Sequence, residues 1–229
     1  MKIMQNIAQV REKICAAAAQ AGVESEKIHL IAVSKTVGAQ EIEEAYSAGV
    51  RSFGENRVQE FLNKSKALPK DIRWNLIGRL QTNKVKYIIN NGVELLHSLD
   101  RFSLAEELQK ECIKKDAFID VLMQVNIAEE QSKSGLYLRE VDPFLEQIAV
   151  FDRIRLKGIM TIAPYTTDRS YLRSVFAQAK VLYDTKKNEF PNFEYLSMGM
   201  SNDYEDAILE GANMVRVGTA IFGDRIYNK

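Results

Sequence analysis

The sequence predicts a (β/α)8 TIM barrel with an additional N-terminal helix, and three observations predict it. Eight apolar runs of strand length recur along the chain, segments of helical periodicity separate them, and the length is 229 residues. Barrels of this kind run from about 200 to more than 400 residues, so the chain suits the small end. Apolar strands alternating with helices point to parallel pairing with both sheet faces covered. An open doubly wound sheet is the alternative, but no G-x-G-x-x-G follows the first strand. No linker, low-complexity tract or close repeat interrupts the rhythm, so residues 1–229 are expected to form one domain.

The elements follow in order. Ile3, Ile7, Val10, Ile14, Ala17 and Ala21 alternate spacings of four and three, one face of a helix that stops at Gly22. The strands read as HLIAVSK (29–35), VRSFG (50–54), IRWNLIG (72–78), VELLHS (93–98), FIDVLMQVN (118–126), IRLKGIMTI (154–162), FEYLSMG (193–199) and NMVRVGT (213–219). Helical periodicity fills the gaps. Ile42 and Tyr46 mark the first intervening helix, Val58, Phe61, Leu62 and Ser65 the second, and Val85, Ile88 and Ile89 the third. Leu104, Leu108 and Cys112 mark the fourth, and Val141, Leu145 and Ile148 the fifth. Leu172, Val175, Phe176, Ala179, Leu182 and Tyr183 mark the sixth, and Asp206 to Leu209 the seventh, closed by Gly211.

The bulk composition narrows the function. Hydrophobic residues make up 46% and charged residues 27%, and the 31 basic and 31 acidic side chains cancel. Such a balance advertises neither a nucleic-acid nor an anionic-membrane partner. Arg11, Glu12 and Lys13 interrupt the N-terminal segment where a signal peptide needs an apolar stretch, and no run reaches the length of a membrane span. A cytoplasmic protein is expected. Cys15 and Cys112 read as small core residues of a reducing compartment, without a disulfide. Only His29 and His97 are present, so no His-rich metal cluster can be drawn and no metal is expected.

Active groups of a parallel barrel sit at the C-terminal ends of its strands. There the sequence places Lys35, the Gly54–Asn56 segment, GRLQTNK (78–84), Asn126, SMGMSND (197–203) and RVGTAIFG (216–223). Phosphate is frequently bound by the loops after strands seven and eight. SMGMSND is a short turn opening a helix, with Ser201 or Asn202 as N-cap and free backbone N–H groups that can bind a dianion. Gly218 lets backbone approach a ligand, and Thr219 adds a hydroxyl and an N–H. Singly, Gly199 and Gly218 read as turn glycines; together, after these two strands, they point to phosphate. Lys35, across from such a cup, then invites a Schiff base with a phosphate-bearing aldehyde. On strand position alone, the simpler account is a lysine snorkelling to solvent. Arg216 shares a strand face with Gly218 and needs an acceptor. A pyridine nitrogen is one candidate, and a carboxylate such as Asp203 or Glu55 is the one favoured by the residues alone.

These segments together resemble a family. IAVSKT, FGENRVQE, WNLIGRLQTNK, LHSLD, SKSG, GIMTI, LSMGMSND and VRVGTAIFG, in order from residue 31 to residue 223, are similar to the pyridoxal-phosphate homeostasis proteins, single-domain relatives of the alanine racemase N-terminal barrel. The resemblance implies pyridoxal 5'-phosphate (PLP) held as a Schiff base on Lys35, with phosphate contacts from Ser201, Gly218 and Thr219. It implies Arg216 at the pyridine nitrogen, Asn56 beside the ring and Met200 in the phosphate loop. It also implies a role in cofactor supply and amino-acid balance without a demonstrated reaction. Many members carry histidine where Asn75 and Arg79 stand here, so proton transfer by those histidines is closed to this chain.

Two arguments weigh a carrier against the alternative, a racemase-like enzyme. An arginine at the pyridine nitrogen disfavours its protonation and weakens the ring as an electron sink, although racemases of this fold share the arrangement. Racemisation also needs a second base, which related racemases take from an additional domain of a partner subunit. The chain ends at Lys229, soon after strand eight, so a monomer without that domain is expected. PLP-dependent apo-enzymes are the implied recipients. A third reading, a sugar-phosphate enzyme using Lys35 as a carbinolamine-forming amine, needs no cofactor. Lys133 in SKSG is a loop cation that could attract the phosphate, against the simpler account of a solvated lysine.

Overall fold

A computed structural model describes residues 2–190 and 192–223. Eight parallel strands close into a barrel in chain order: β1 (His29–Val33), β2 (Ser52–Glu55), β3 (Arg73–Leu76), β4 (Val93–Leu99), β5 (Ile119–Gln124), β6 (Ile154–Met160), β7 (Tyr195–Ser197) and β8 (Met214–Val217). β1 pairs with β2 on one side and β8 on the other, so the sheet has no edge.

The helices are α1 (Lys2–Gln20), α2 (Ala39–Ser47), α3 (Val58–Ala67), α4 (Phe102–Lys114), α5 (Val141–Ile148), α6 (Arg169–Glu189), α7 (Tyr204–Leu209) and α8 (Thr219–Phe222). α8 has only four residues. The extra helix α1 covers the seam it leaves, packing on α2, α7 and α8. Its predicted apolar face is the buried one: Ile3, Ile7, Val10, Ile14 and Ala17, joined by Ala18. No helix among the described residues is long and apolar enough to cross a membrane.

The strands divide two cores. Residues facing the helices, such as Phe53, Trp74 and Val215, join the large outer cluster. Inside the barrel, Ile31, Leu95, Leu122, Met160 and Met214 form a separate apolar floor. Strand side chains alternate faces, so the next inward positions lie two residues further on. These include His97 above Leu95, Gln124 above Leu122 and Arg216 above Met214. One further step reaches the mouth, at Gly218 on β8 and at Lys35 above Val33 on β1.

Three expectations need correction. The helix expected around Val85, Ile88 and Ile89 is a 3-10 helix, Thr82–Tyr87. Its backbone closes with three-residue bonds, Lys84 N to Gln81 O and Ile88 N to Val85 O. Cys15 is exposed on α1 rather than a core residue, whereas Cys112 is buried; both are free thiols. The N-cap of α7 is Asp203, not Ser201 or Asn202, because residues 201–203 form a turn before the helix.

Candidate functional site

A cavity of about 660 Å³ opens at the C-terminal ends of the strands. All seven residues singled out in the sequence line it: Lys35, Asn56, Met200, Ser201, Arg216, Gly218 and Thr219. They come together because each lies at or just beyond a strand end on one rim, Arg216 within the end of β8 and the others past theirs.

Lys35 sits in a turn two residues past β1, and the residue after it, Thr36, has φ +61°. A threonine in the left-handed region is strained and persists only if its surroundings hold it. They do so from the outer side of the barrel wall. Thr36 N donates to Glu60 Oε2 at 2.8 Å. Lys64 Nζ, on α3, donates to Ser34 O at 2.8 Å and to Glu55 Oε1 at 2.8 Å, and reaches Glu60 Oε2 at 3.5 Å. Ser34 Oγ donates to the same Glu55 oxygen at 2.5 Å. Both neighbours of Lys35 are thereby fixed, while its own Nζ makes no hydrogen bond or ion pair among the described residues. Glu55 is completely buried, and its Oε2 has no partner. Burial pushes its carboxyl up, opposed by the hydrogen bonds from Lys64 and Ser34.

Arg216 anchors a chain of hydrogen bonds across the barrel interior. Its Nη1 donates to Ser197 Oγ at 2.7 Å and its Nη2 to Thr161 O at 2.9 Å. Ser197 Oγ lies 3.3 Å from His97 Nδ1, and His97 Nε2 lies 3.2 Å from Asn75 Oδ1. Asn75 Nδ2 then donates to Phe53 O and Arg73 O. Arginine can only donate, so the serine hydroxyl accepts from it and donates onward to Nδ1. That assigns His97 as the neutral Nε2–H tautomer. Burial, and then the Arg216 charge, hold its pKa well below the ordinary value, in agreement. Burial lowers Arg216 itself to about 10, with Asp203 opposing, so it stays charged at neutral pH. Neither Asp203 nor Glu55 makes the expected ion pair with it: Glu55 faces outward to Lys64, and a hydroxyl and a carbonyl satisfy the guanidinium instead.

The loops after β7 and β8 form one cup. Ser201 Oγ accepts from Gly218 N at 3.1 Å and from Ala220 N at 3.3 Å, tying the two loops together. The backbone N–H groups of Ser201, Asn202 and Thr219 make no hydrogen bond among the described residues, so they remain available to an anion. Gly199 adopts φ +90°, and a Cβ there would lie 2.6 Å from Ala207 Cβ and 2.9 Å from Tyr204 Cα. The glycine is what lets the cup fold back on α7. Asp203 Oδ1 accepts from Met200 N and braces the turn.

Lys133 also lines the cavity, but its ammonium is committed: it donates to Ala163 O at 2.8 Å and pairs with Glu130 at 3.3 Å. The uncommitted Lys35 amine, the anion cup and the buried Arg216 donor fit a flat phosphate ester carrying an aldehyde. Sequence reasoning missed His97, Ser197, Lys64 and Tyr165, an almost fully exposed ring on the cavity rim. For His97 and Ser197 the signal was present, since each lies two residues beyond an inward strand position. No group of three or more His, Cys, Asp or Glu side chains among the described residues could hold a metal.

Residues 3–226 match the family described as alanine racemase, N-terminal domain. The chain is 42% identical over 229 residues to the pyridoxal phosphate homeostasis protein of Aquifex aeolicus, covering 99% of this chain and all of that one. It superposes on PipY of Synechococcus elongatus, solved with PLP bound, with a TM-score of 0.83 and 33% identity over 96% of this chain and all of that chain. Alanine racemase from Clostridium difficile shares the fold, with a TM-score of 0.76 at 15% identity; this chain covers 58% of that one and 99% of itself is matched.

Proposed function

Because the chain belongs to the alanine racemase N-terminal domain family and, within it, to the pyridoxal phosphate homeostasis proteins, we propose that it binds PLP at the barrel mouth and serves its intracellular supply. The observation that carries this reading is Lys35, the one lysine of the cavity whose amine makes no bond among the described residues, sharing that cavity with an anion cup. Lys35 would hold the cofactor as a Schiff base with its aldehyde, in which the group supplies a reversible covalent link. Ser201 and Thr219 would hold the phosphate, with Gly218, whose N–H is given to Ser201 Oγ, letting the backbone approach it; Arg216 would face the pyridine nitrogen, and Asn56 and Met200 would flank the ring. Arg216 keeps a positive charge fixed above the apolar floor and so opposes a proton on that nitrogen, which weakens the ring as an electron sink without by itself separating storage from racemase chemistry. The protein then acts as a monomeric buffer or donor for apo-enzymes rather than as an amino-acid racemase.

The visible spectrum tests the binding. PLP added to the protein is expected to give a yellow band that borohydride removes and that Lys35→Ala never forms. A colourless wild-type protein overturns the reading in favour of sugar-phosphate chemistry. Amino-acid turnover by the loaded protein, abolished by Lys35→Ala, overturns the non-catalytic part. Transfer is tested by mixing loaded protein with an apo-enzyme; reactivation no faster than with free cofactor removes the donor role.

A further inference from the structure

Asn56 and Arg79 line the cofactor mouth, and they also line a second, larger cleft of about 940 Å³ beside it. This cleft lies between the start of α3, the loop after β3 and the start of α4. It is built from FGENRVQE and GRLQTNK, two motifs whose charged residues the cofactor site leaves mostly unused. Its charged lining is Arg57, Arg79, Lys84 and Arg101, with no carboxylate among the lining residues. Asp100 pairs with Arg101 and, at 3.7 Å, with Arg79. Arg57 and Lys84 have no carboxylate partner among the described residues. Set against Asp100, the four cations leave a surplus of three positive charges on one concave wall of a chain whose formal charge is zero. A concave wall of one sign concentrates oppositely charged ligands.

The frame under these cations is rigid. A Cβ at Gly78 would lie 2.4 Å from Asn56 O, so only glycine lets the loop press on the end of β2. Ser98 Oγ donates to Gly78 O at 2.7 Å, and Arg101 donates to Leu80 O. The half-exposed ring of Tyr87 also lines the cleft, with Lys84 Nζ over it at 5.7 Å and Lys86 Nζ over it at 5.1 Å from its centroid, flexible cations that a stacked base would displace toward its phosphates. Arginines that grip phosphate beside an aromatic face that takes a base are the elements of nucleotide recognition.

We propose that this cleft binds a nucleoside di- or triphosphate, its phosphates on Arg57, Arg79 and Lys84 and its base on Tyr87. A single phosphate would leave much of the surplus charge unmatched, whereas a polyphosphate matches it.

ATP without magnesium is titrated by calorimetry into the unloaded protein and into protein loaded with PLP and reduced by borohydride. One site is expected in both, with pyrophosphate competing. Arg57→Gln with Lys84→Gln is expected to weaken ATP about tenfold or more, as befits lost charged hydrogen bonds. Tyr87→Ala is expected to weaken ATP while sparing pyrophosphate. A signal lost on loading places ATP in the cofactor cup and overturns the inference. So does the absence of saturable binding at millimolar ATP, or an unchanged affinity in the double variant. Equal loss of ATP and pyrophosphate in Tyr87→Ala overturns the assignment of the base.

Discussion

Lys64→Met tests whether charge holds the wall behind Lys35. Lys64 is the cation paired with Glu55, whose side chain is wholly buried, while that of Lys64 is 12% exposed. Methionine keeps most of the stem and removes the ammonium with its bonds to Ser34 O, Glu55 and Glu60. Stranding one partner of a buried pair costs about 3–5 kcal/mol. At about 2–4 °C per kcal/mol for a chain of this size, the melting temperature should fall by roughly 6–20 °C, nearer the lower end because water reaches Lys64. Glu55→Gln leaves an oxygen for Ser34 and Lys64 and no buried anion, so it should cost only about 1 kcal/mol. The double variant should be more stable than Lys64→Met alone.

The pH dependence carries a sign. Burial already raises the Glu55 carboxyl, and losing Lys64 raises it further. A carboxyl whose folded pKa exceeds its unfolded one costs the native state stability as pH rises from the unfolded to the folded value. The deficit of Lys64→Met should therefore shrink on acidification. Urea unfolding at pH 5 and pH 8, followed through the single buried tryptophan, Trp74, measures it. If Lys64→Met is as mild as Glu55→Gln at both values, Glu55 is already protonated and charge does not hold the wall.

Other substitutions probe the interior and the cup. Ser197→Ala strands a donor of Arg216 and the Nδ1 acceptor of His97, and should cost about 1–3 kcal/mol in urea unfolding. Gly199→Ala forces a Cβ to within 2.6 Å of Ala207 Cβ at a left-handed φ, so PLP should bind about tenfold or more weakly while pyridoxal, which lacks the phosphate, is spared. A thiol reagent at pH 8 should label Cys15 alone, because Cys112 is buried and burial pushes its thiol up to about 11.

Much of this was legible because a barrel gathers its strand ends on one rim. Lys35, Asn56, Ser201 and Gly218 are far apart in sequence, yet locating eight strand ends was enough to bring them to one cavity. What escaped depends on contacts that no local pattern encodes. Lys64 lies nine positions from Glu55 on a different element, and nothing in VQEFLNKSKA marks that lysine as the one turned inward. Val85, Ile88 and Ile89 carry spacings of three and four that read as an α-helix, whereas the segment closes as a 3-10 helix that ends at Tyr87, so periodicity was misleading here. Arg216 was matched to a carboxylate because a buried charge usually needs one, whereas a carbonyl and a polarised serine suffice here.

The distribution of lysine partners bears on the reactive role proposed for Lys35. A lysine drawn into hydrogen bonds and ion pairs must break them before its lone pair is free. Of the two lysines lining the cavity, Lys133 is bound to Ala163 O and Glu130. Lys35 is positioned without being bound, because the restraint acts on Ser34 and Thr36 through Lys64, Glu55 and Glu60 on the far side of the wall. Separating the group that is held from the group proposed to react lets the backbone stay strained at Thr36 while the side chain stays uncommitted. Loosening the wall by Lys64→Met should therefore weaken PLP binding with Lys35 itself unaltered, whereas a loss confined to stability would mean that the mouth positions Lys35 from the cavity side alone.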